Sequence, residues 1–72
     1  MERKPITGSS NISEIGHDAA TNVLEVKFIN GGVFRYHGVD AAKHAALMGA
    51  DSVGKHFHAN IKTQHKHSKV DP

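Results

Sequence analysis

Four lysines and four histidines crowd the last eighteen residues: Lys55, Lys62, Lys66 and Lys69, with His56, His58, His65 and His67. Only Asp71 opposes them, so residues 55–72 carry a net +3 with the histidines neutral. Residues 1–54 hold five basic and six acidic side chains and carry a net −1. Clustered ammonium groups contact phosphates, and such contacts give affinity without sequence choice that weakens as salt rises. The segregation points to an acidic partner, a nucleic acid first among them. Arg35 adds a cation from the body of the chain, and Asn60 and Gln64 add neutral contacts. The plainer alternative for the same residues is a solvated helix face followed by a solubilising tail.

The histidines form two His-x-His pairs, His56 with His58 and His65 with His67. Imidazole is a common zinc ligand, but a tetrahedral site needs three or four ligands. On a helix each residue turns ~100°, so two rings two residues apart point about 200° from each other. The spacing matches no standard zinc motif, and no metal site or cofactor is expected. Several imidazoles in one segment do predict added positive charge at a pH of about 6.

Phe34-Arg35-Tyr36 places two aromatic rings on one face of a strand with a cation between them. One reading is a platform on which bases stack while Arg35 meets phosphate. The other is that both rings are core, with Arg35 exposed behind them. With four aromatic residues in the whole chain, burial favours core. In that case Glu25, Lys27, Arg35 and His37 are left on the open face of the sheet. Catalysis has no matching constellation: there is no nucleophile elbow, phosphate loop or paired-carboxylate motif. Ser9, Ser10 and Asn11 read as turn and cap residues. The chain is read as non-enzymatic.

The elements that must position these groups follow from periodicity. Asn11 to His17 is a strand whose apolar residues, Ile12 and Ile15, are three apart, which predicts a bulge or a short strand. Asp18 to Asn22 is a turn. Val23 to Ile29 alternates, with Leu24, Val26 and Phe28 on one side and Glu25 and Lys27 on the other. Asn30-Gly31 predicts a tight type I′ hairpin, and Val33 to Val39 is the return strand. Asp40 is a helix N-cap for Ala41 to Met48, which Gly49 ends. Asp51-Ser52 offers a second cap, and Val53, Phe57 and Ile61 form an apolar stripe at a spacing of four. The expected architecture is α+β: a three-stranded antiparallel sheet, then two short helices packed on one face. Residues 1–8 are expected as a loose lead-in, 9–62 as the domain and 63–72 as a flexible basic tail.

At 72 residues the chain buries only roughly 60% of its unfolded surface, which makes it marginal by size alone. It has no cysteine, which excludes disulfides and thiolate chemistry and suits a reducing compartment. No apolar run approaches the ~20 residues of a membrane span, and no apolar stretch follows the charged N-terminus. A cytoplasmic protein without membrane contact is the expectation. An exposed edge of a three-stranded sheet offers a route to a dimer.

Taken together, several segments resemble the KTSC domain family: Ser9-Ser10-Asn11-Ile12, Ile15-Gly16-His17-Asp18, Leu24 to Phe28, Gly32-Val33-Phe34-Arg35-Tyr36, Leu47-Met48 and Ser52 to Lys62. The likeness runs from about Ile6 to Lys62, in order. The family occurs as stand-alone small proteins of bacteria and phages and as a C-terminal module on some lysyl-tRNA synthetases, a context that implies RNA binding. Its central Tyr-x-Tyr signature stands here as Phe34-Arg35-Tyr36, with one hydroxyl lost. His17 stands where the family usually has Tyr, and Asp40 where Pro is common.

Two functional expectations result. The first is a small non-catalytic domain that binds RNA or another nucleic acid through Arg35, Lys55, Lys62, Lys66 and Lys69. The second is a protein-interaction module, such as a phage-encoded factor that binds and inhibits a host protein.

Overall fold

The computed structural model describes residues 2–7 and 9–70. Met1, Gly8, Asp71 and Pro72, which belong to the expected lead-in and tail, lie outside the described residues. The chain forms β1 (Arg3–Pro5), β2 (Ile12–Asp18), β3 (Val23–Phe28), β4 (Val33–His37), α1 (Ala41–Met48), α2 (Val53–Asn60) and β5 (His67–Lys69). All neighbours in the sheet are antiparallel, in the order β1-β2-β3-β4-β5. Among the described residues no helix is long and apolar enough to cross a membrane.

The three central strands and both helices match the sequence pattern; the number of strands does not. Arg3–Pro5 and His67–Lys69 add an edge strand on each side. Each is three residues long and too polar to show alternation, so neither left a periodic trace. Backbone ladders and specific side chains hold them instead. The sheet edges that would have allowed a dimer are therefore covered. The new edges are short and carry Lys4, Pro5, His67 and Lys69, features that discourage further pairing.

The spacing of Ile12 and Ile15 is resolved by a bulge. Ile12 pairs with Phe28 and Glu14 with Lys27, which leaves Ser13 as the extra residue. That residue restores parity, and both isoleucines reach the core. The hairpin differs from the type I′ expectation. Gly31 N–H donates to the Phe28 carbonyl at 2.9 Å, so Ile29 and Asn30 are the central residues. The positive φ falls on Gly31 alone, at +98°, and not on Asn30. This is a three-residue loop closed by a glycine bulge, and Asn30 Oδ1 accepts from Gly32 N–H at 2.9 Å.

Both helix caps form where expected. Asp40 Oδ1 accepts from Lys43 N–H at 2.9 Å, and Ser52 Oγ from Lys55 N–H at 3.4 Å. The helices cover one face of the sheet. Ile12, Ile15, Leu24, Val26, Tyr36, Val39, Leu47, Phe57 and Ile61 form the buried core. Phe57 of α2 is its centre, edge-on to Tyr36 at 5.0 Å and to Phe28 at 5.8 Å. Helix α1 is tied down by His17 and His44, whose rings stack at 4.5 Å with 13° between planes. His17 Nε2–H donates to the Val39 carbonyl at 2.6 Å. Burial, with His17 and Lys4 nearby, pushes the His44 imidazole below its ordinary range.

The expected flexible tail is ordered through residue 70. His65 Nδ1–H donates to the His37 carbonyl at 2.9 Å, and its Nε2 accepts from Lys43 Nζ at 3.4 Å. Gly38, beside that ring, has a φ of +79°, a left-handed conformation that glycine adopts without strain. His67 then lies against Tyr36 at 5.4 Å and Phe34 at 5.9 Å.

Candidate nucleic-acid interface

Side-chain parity sends Leu24, Val26, Phe34 and Tyr36 toward the helices. It sends Glu14, Glu25 and Arg35 to the opposite, helix-free face, with Gly16 in the same row. Tyr36 is 3% exposed and Phe34 is packed against the core. The aromatic pair is core, and no stacking platform of those rings exists on the open face. Burial pushes the Tyr36 phenol above its ordinary range.

The open face is organised around one carboxylate. Glu25 is buried among charged neighbours. Its Oε1 accepts from Arg35 Nε and its Oε2 from Arg3 Nη1, each at 2.9 Å. Arg3 Nε also donates to Glu14 Oε1 at 2.9 Å. The Glu14 hydrogen bond, with Glu25 adding, raises the Arg3 guanidinium further above its already high range against the opposing effect of desolvation. Two arginines and two glutamates thus form one chain across β1, β2, β3 and β4, and their charges cancel. A carboxylate buried here without both arginines would carry a large desolvation cost.

Beside this network, at the hairpin end, lies a cavity of about 540 Å³. Arg3, Lys27 and Lys69 line it, together with Val33 and Val70, and Asn30-Gly31-Gly32 forms a wall. No carboxylate of the described residues lines it. Neither Lys27 nor Lys69 forms a salt bridge among the described residues.

The structure therefore divides the cations picked out in the sequence. Lys69 is among the residues that line the cavity, although its register partner Phe34 places it on the helix-covered side of β5, while Arg35 lies on the open face, already bonded to Glu25. Lys66 is exposed just before β5, where its carbonyl accepts from His37 N–H at 2.8 Å. Lys55 belongs to the helix-covered side, in a separate cleft with Ser9, Asn11 and His58. Lys62 follows Ile61, the C-cap of α2. These two do not join Lys69. The histidine pairs divide as well: His58 Nε2 accepts from Asn11 Nδ2 at 2.8 Å, while His65 and His67 serve the β4–β5 contact.

Sequence reasoning missed Arg3 and Lys27 as site residues. Lys27 was legible in part, since alternation with Val26 and Phe28 puts it on the open face and the Asn-Gly-Gly turn puts it beside the hairpin. Arg3 gave no signal, because nothing in Arg3-Lys4-Pro5 announces a strand. Ser9 and Asn11 have a structural role: Ser9 Oγ accepts from Ile12 N–H at 3.1 Å and donates to Asn11 Oδ1 at 3.1 Å. Gly54 lets α2 approach them, since a Cβ there would lie 3.0 Å from Asn11 Oδ1.

The fold defines a class: an antiparallel five-stranded α+β domain whose last strand returns beside β4 after a helix pair. Within that class the chain belongs to the KTSC domain family, whose model matches residues 8–65. It is similar to the crystal structure of a KTSC domain protein from Yersinia pestis, with a TM-score of 0.92 and 34% identity over 97% of each chain. It is also 40% identical over 57 residues to an uncharacterized protein of Stutzerimonas stutzeri (strain A1501), covering 79% of this chain and 80% of that one.

Proposed function

We propose that this KTSC domain is a non-catalytic module that binds single-stranded nucleic acid, RNA in the first place, through phosphate contacts at the hairpin end of the open sheet face. The observation that carries the reading is the meeting of Arg3, Lys27 and Lys69 on the lining of one cavity that no carboxylate of the described residues shares. Buried aromatics leave phosphate contact as the means of binding, so the interaction is tolerant of sequence and sensitive to salt. Lys66 extends the positive surface just before β5, whereas the charge of Arg35 is already met by Glu25. Lys55 and Lys62 are peripheral to it.

A filter-binding titration with single-stranded RNA tests this. Three phosphate contacts on a single strand predict about a twenty-fold loss of affinity between about 50 and 200 mM salt. Lys27→Ala and Lys69→Ala weaken binding and flatten the salt slope, whereas Lys55→Ala and Lys62→Ala leave both near the parent values. Absence of binding at the lower salt, or dependence on Lys55 and Lys62 alone, overturns the proposal.

A further inference from the structure

We infer that the cleft beside the β3–β4 hairpin, with Ile29 in its wall, seats one nucleobase of the bound strand. This rests on the nucleic-acid reading and adds a base to the phosphate contacts. Among the described residues Ile29 is the one large apolar side chain left exposed, at 60%. A lone exposed isoleucine means little by itself; its place gives it meaning. Ile29 lines a cleft of about 280 Å³ with Ser10, Asn11, Phe28 and Asn30. These five residues are uncharged. They offer an anion no ion pair, and they offer a flat neutral ring an apolar wall with amide and hydroxyl groups around it.

The cleft adjoins the cation-lined cavity, since Asn30 lines both. Ile29 N–H donates to the Asn11 carbonyl at 2.9 Å, so the extended course of β3 runs on to it. Lys27 and Ile29 are therefore about 7 Å apart along the chain, close to the reach from a phosphate to the base it carries. A phosphate held at Lys27 leaves its own base beside Ile29. The polar walls are set in advance. Asn30 Oδ1 accepts from Gly32 N–H at 2.9 Å, and Asn11 Nδ2 donates to His58 Nε2 at 2.8 Å. Every base has a flat apolar face, so the seat adds affinity without choosing a sequence.

The test titrates the full chain with an oligoadenylate and with an inorganic polyphosphate of the same length, which carries the charges and no bases. Ile29→Ala, a change at an exposed position, should weaken oligoadenylate binding about ten-fold, the scale of burying most of one aliphatic side chain. Polyphosphate binding should stay at the parent value. In the parent chain the Ile29 methyl resonances should move upfield with oligoadenylate, under the ring current of a stacked base, and stay in place with polyphosphate. The same loss on both ligands, or oligoadenylate binding that Ile29→Ala leaves unchanged, overturns the inference and leaves the nucleic-acid reading standing. Methyl resonances unmoved at saturating oligoadenylate do the same. Oligoadenylate that fails to bind at about 50 mM salt, with or without polyphosphate binding, overturns both.

Discussion

Arg3 passes over Gly16 and sets its Nη1 2.9 Å from Oε2 of Glu25, joining the first strand to the third. Gly16 is the register partner of both Arg3 and Glu25. With no side chain between them, the guanidinium can lie flat across β2. A strand that reads Arg3-Lys4-Pro5 has almost no hydrophobic reason to dock, and this contact supplies another one. The same carboxylate fixes Arg35 from the other side at 2.9 Å. One buried acid therefore ties together β1, β3 and β4, and Glu14 joins β2 to the same arginine.

Glu25→Gln should be the most damaging charge substitution on the open face. Breaking a buried ion pair costs about 3–5 kcal/mol, and the exposure that Arg35 and Arg3 retain brings the expected loss down to roughly 2–3 kcal/mol. Urea unfolding monitored by circular dichroism measures it. A double-mutant cycle with Arg3→Ala should give a coupling between about 0.5 and 3 kcal/mol. Simple additivity of the two losses would show that Arg3 does not depend on Glu25.

Gly16→Ala should loosen β1 while the core stays folded. The added Cβ would lie 2.6 Å from the Glu2 carbonyl oxygen and 3.0 Å from Arg3 Cγ, so the first strand must move away. Overpacking of this kind costs about 1–3 kcal/mol. Hydrogen exchange separates the local effect from the global one. The Ile6 N–H, which donates to the Ser13 carbonyl at 2.9 Å, should exchange much faster, with the amide of core residue Val26 changed only by the shared loss of stability. Equal acceleration at both amides would mean that β1 and the core open as one unit.

How far the sequence could be read follows the same physics. Leu24, Val26, Phe28 and Tyr36 alternate, and Val53, Phe57 and Ile61 repeat every four residues. Hydrophobic burial writes a period into the chain, so the central strands and both helices were legible, and the bulge between Ile12 and Ile15 with them. Asp40 and Ser52 were legible because capping demands particular side chains. Arg3–Pro5 and His67–Lys69 write no period, since their stability comes from ladders, ion pairs and ring contacts with distant residues. The candidate site was divided for that reason: Lys69 was legible as a cation, but its neighbours Arg3 and Lys27 come from strands far apart in sequence. The flexible-tail expectation failed at His65 and His67, whose partners His37, Lys43 and Tyr36 only the fold brings near.

Stability should fall as pH drops through the range just below 6.5, and His44 should account for part of the slope. Its folded pKa lies below the ordinary 6.5, from burial first and then from His17 on β2 and Lys4 on β1. The unfolded chain therefore binds this proton more readily than the folded one. Stability is full above about 6.5, falls as pH decreases below it, and levels off once pH passes the lowered folded value. His44→Gln removes this contribution. Thermal melts from about pH 7.5 to 5 should show the parent losing more than the variant. Parallel curves would assign the slope to other groups.

Tyr36 should tolerate loss of its hydroxyl but not of its ring. The ring is 3% exposed and packs edge-on against Phe57 at 5.0 Å. Its Oη has no hydrogen-bond partner among the described residues. Tyr36→Phe should therefore change stability by less than about 0.5 kcal/mol, the range of substitutions that remove no specific feature. Tyr36→Ala should cost about 3–5 kcal/mol, a large share of the total for a domain of this size. His67→Ala gives the view from the other side of the ring. It removes a tilted contact at 5.4 Å that caps Tyr36 from β5, and should cost about 0.5–1.5 kcal/mol. If Tyr36→Phe were as damaging as His67→Ala, the phenol oxygen would hold a bond that matters, and the Phe34-Arg35-Tyr36 signature would be polar in purpose. A neutral result makes it a packing signature, which is why one of its two hydroxyls can be absent at Phe34.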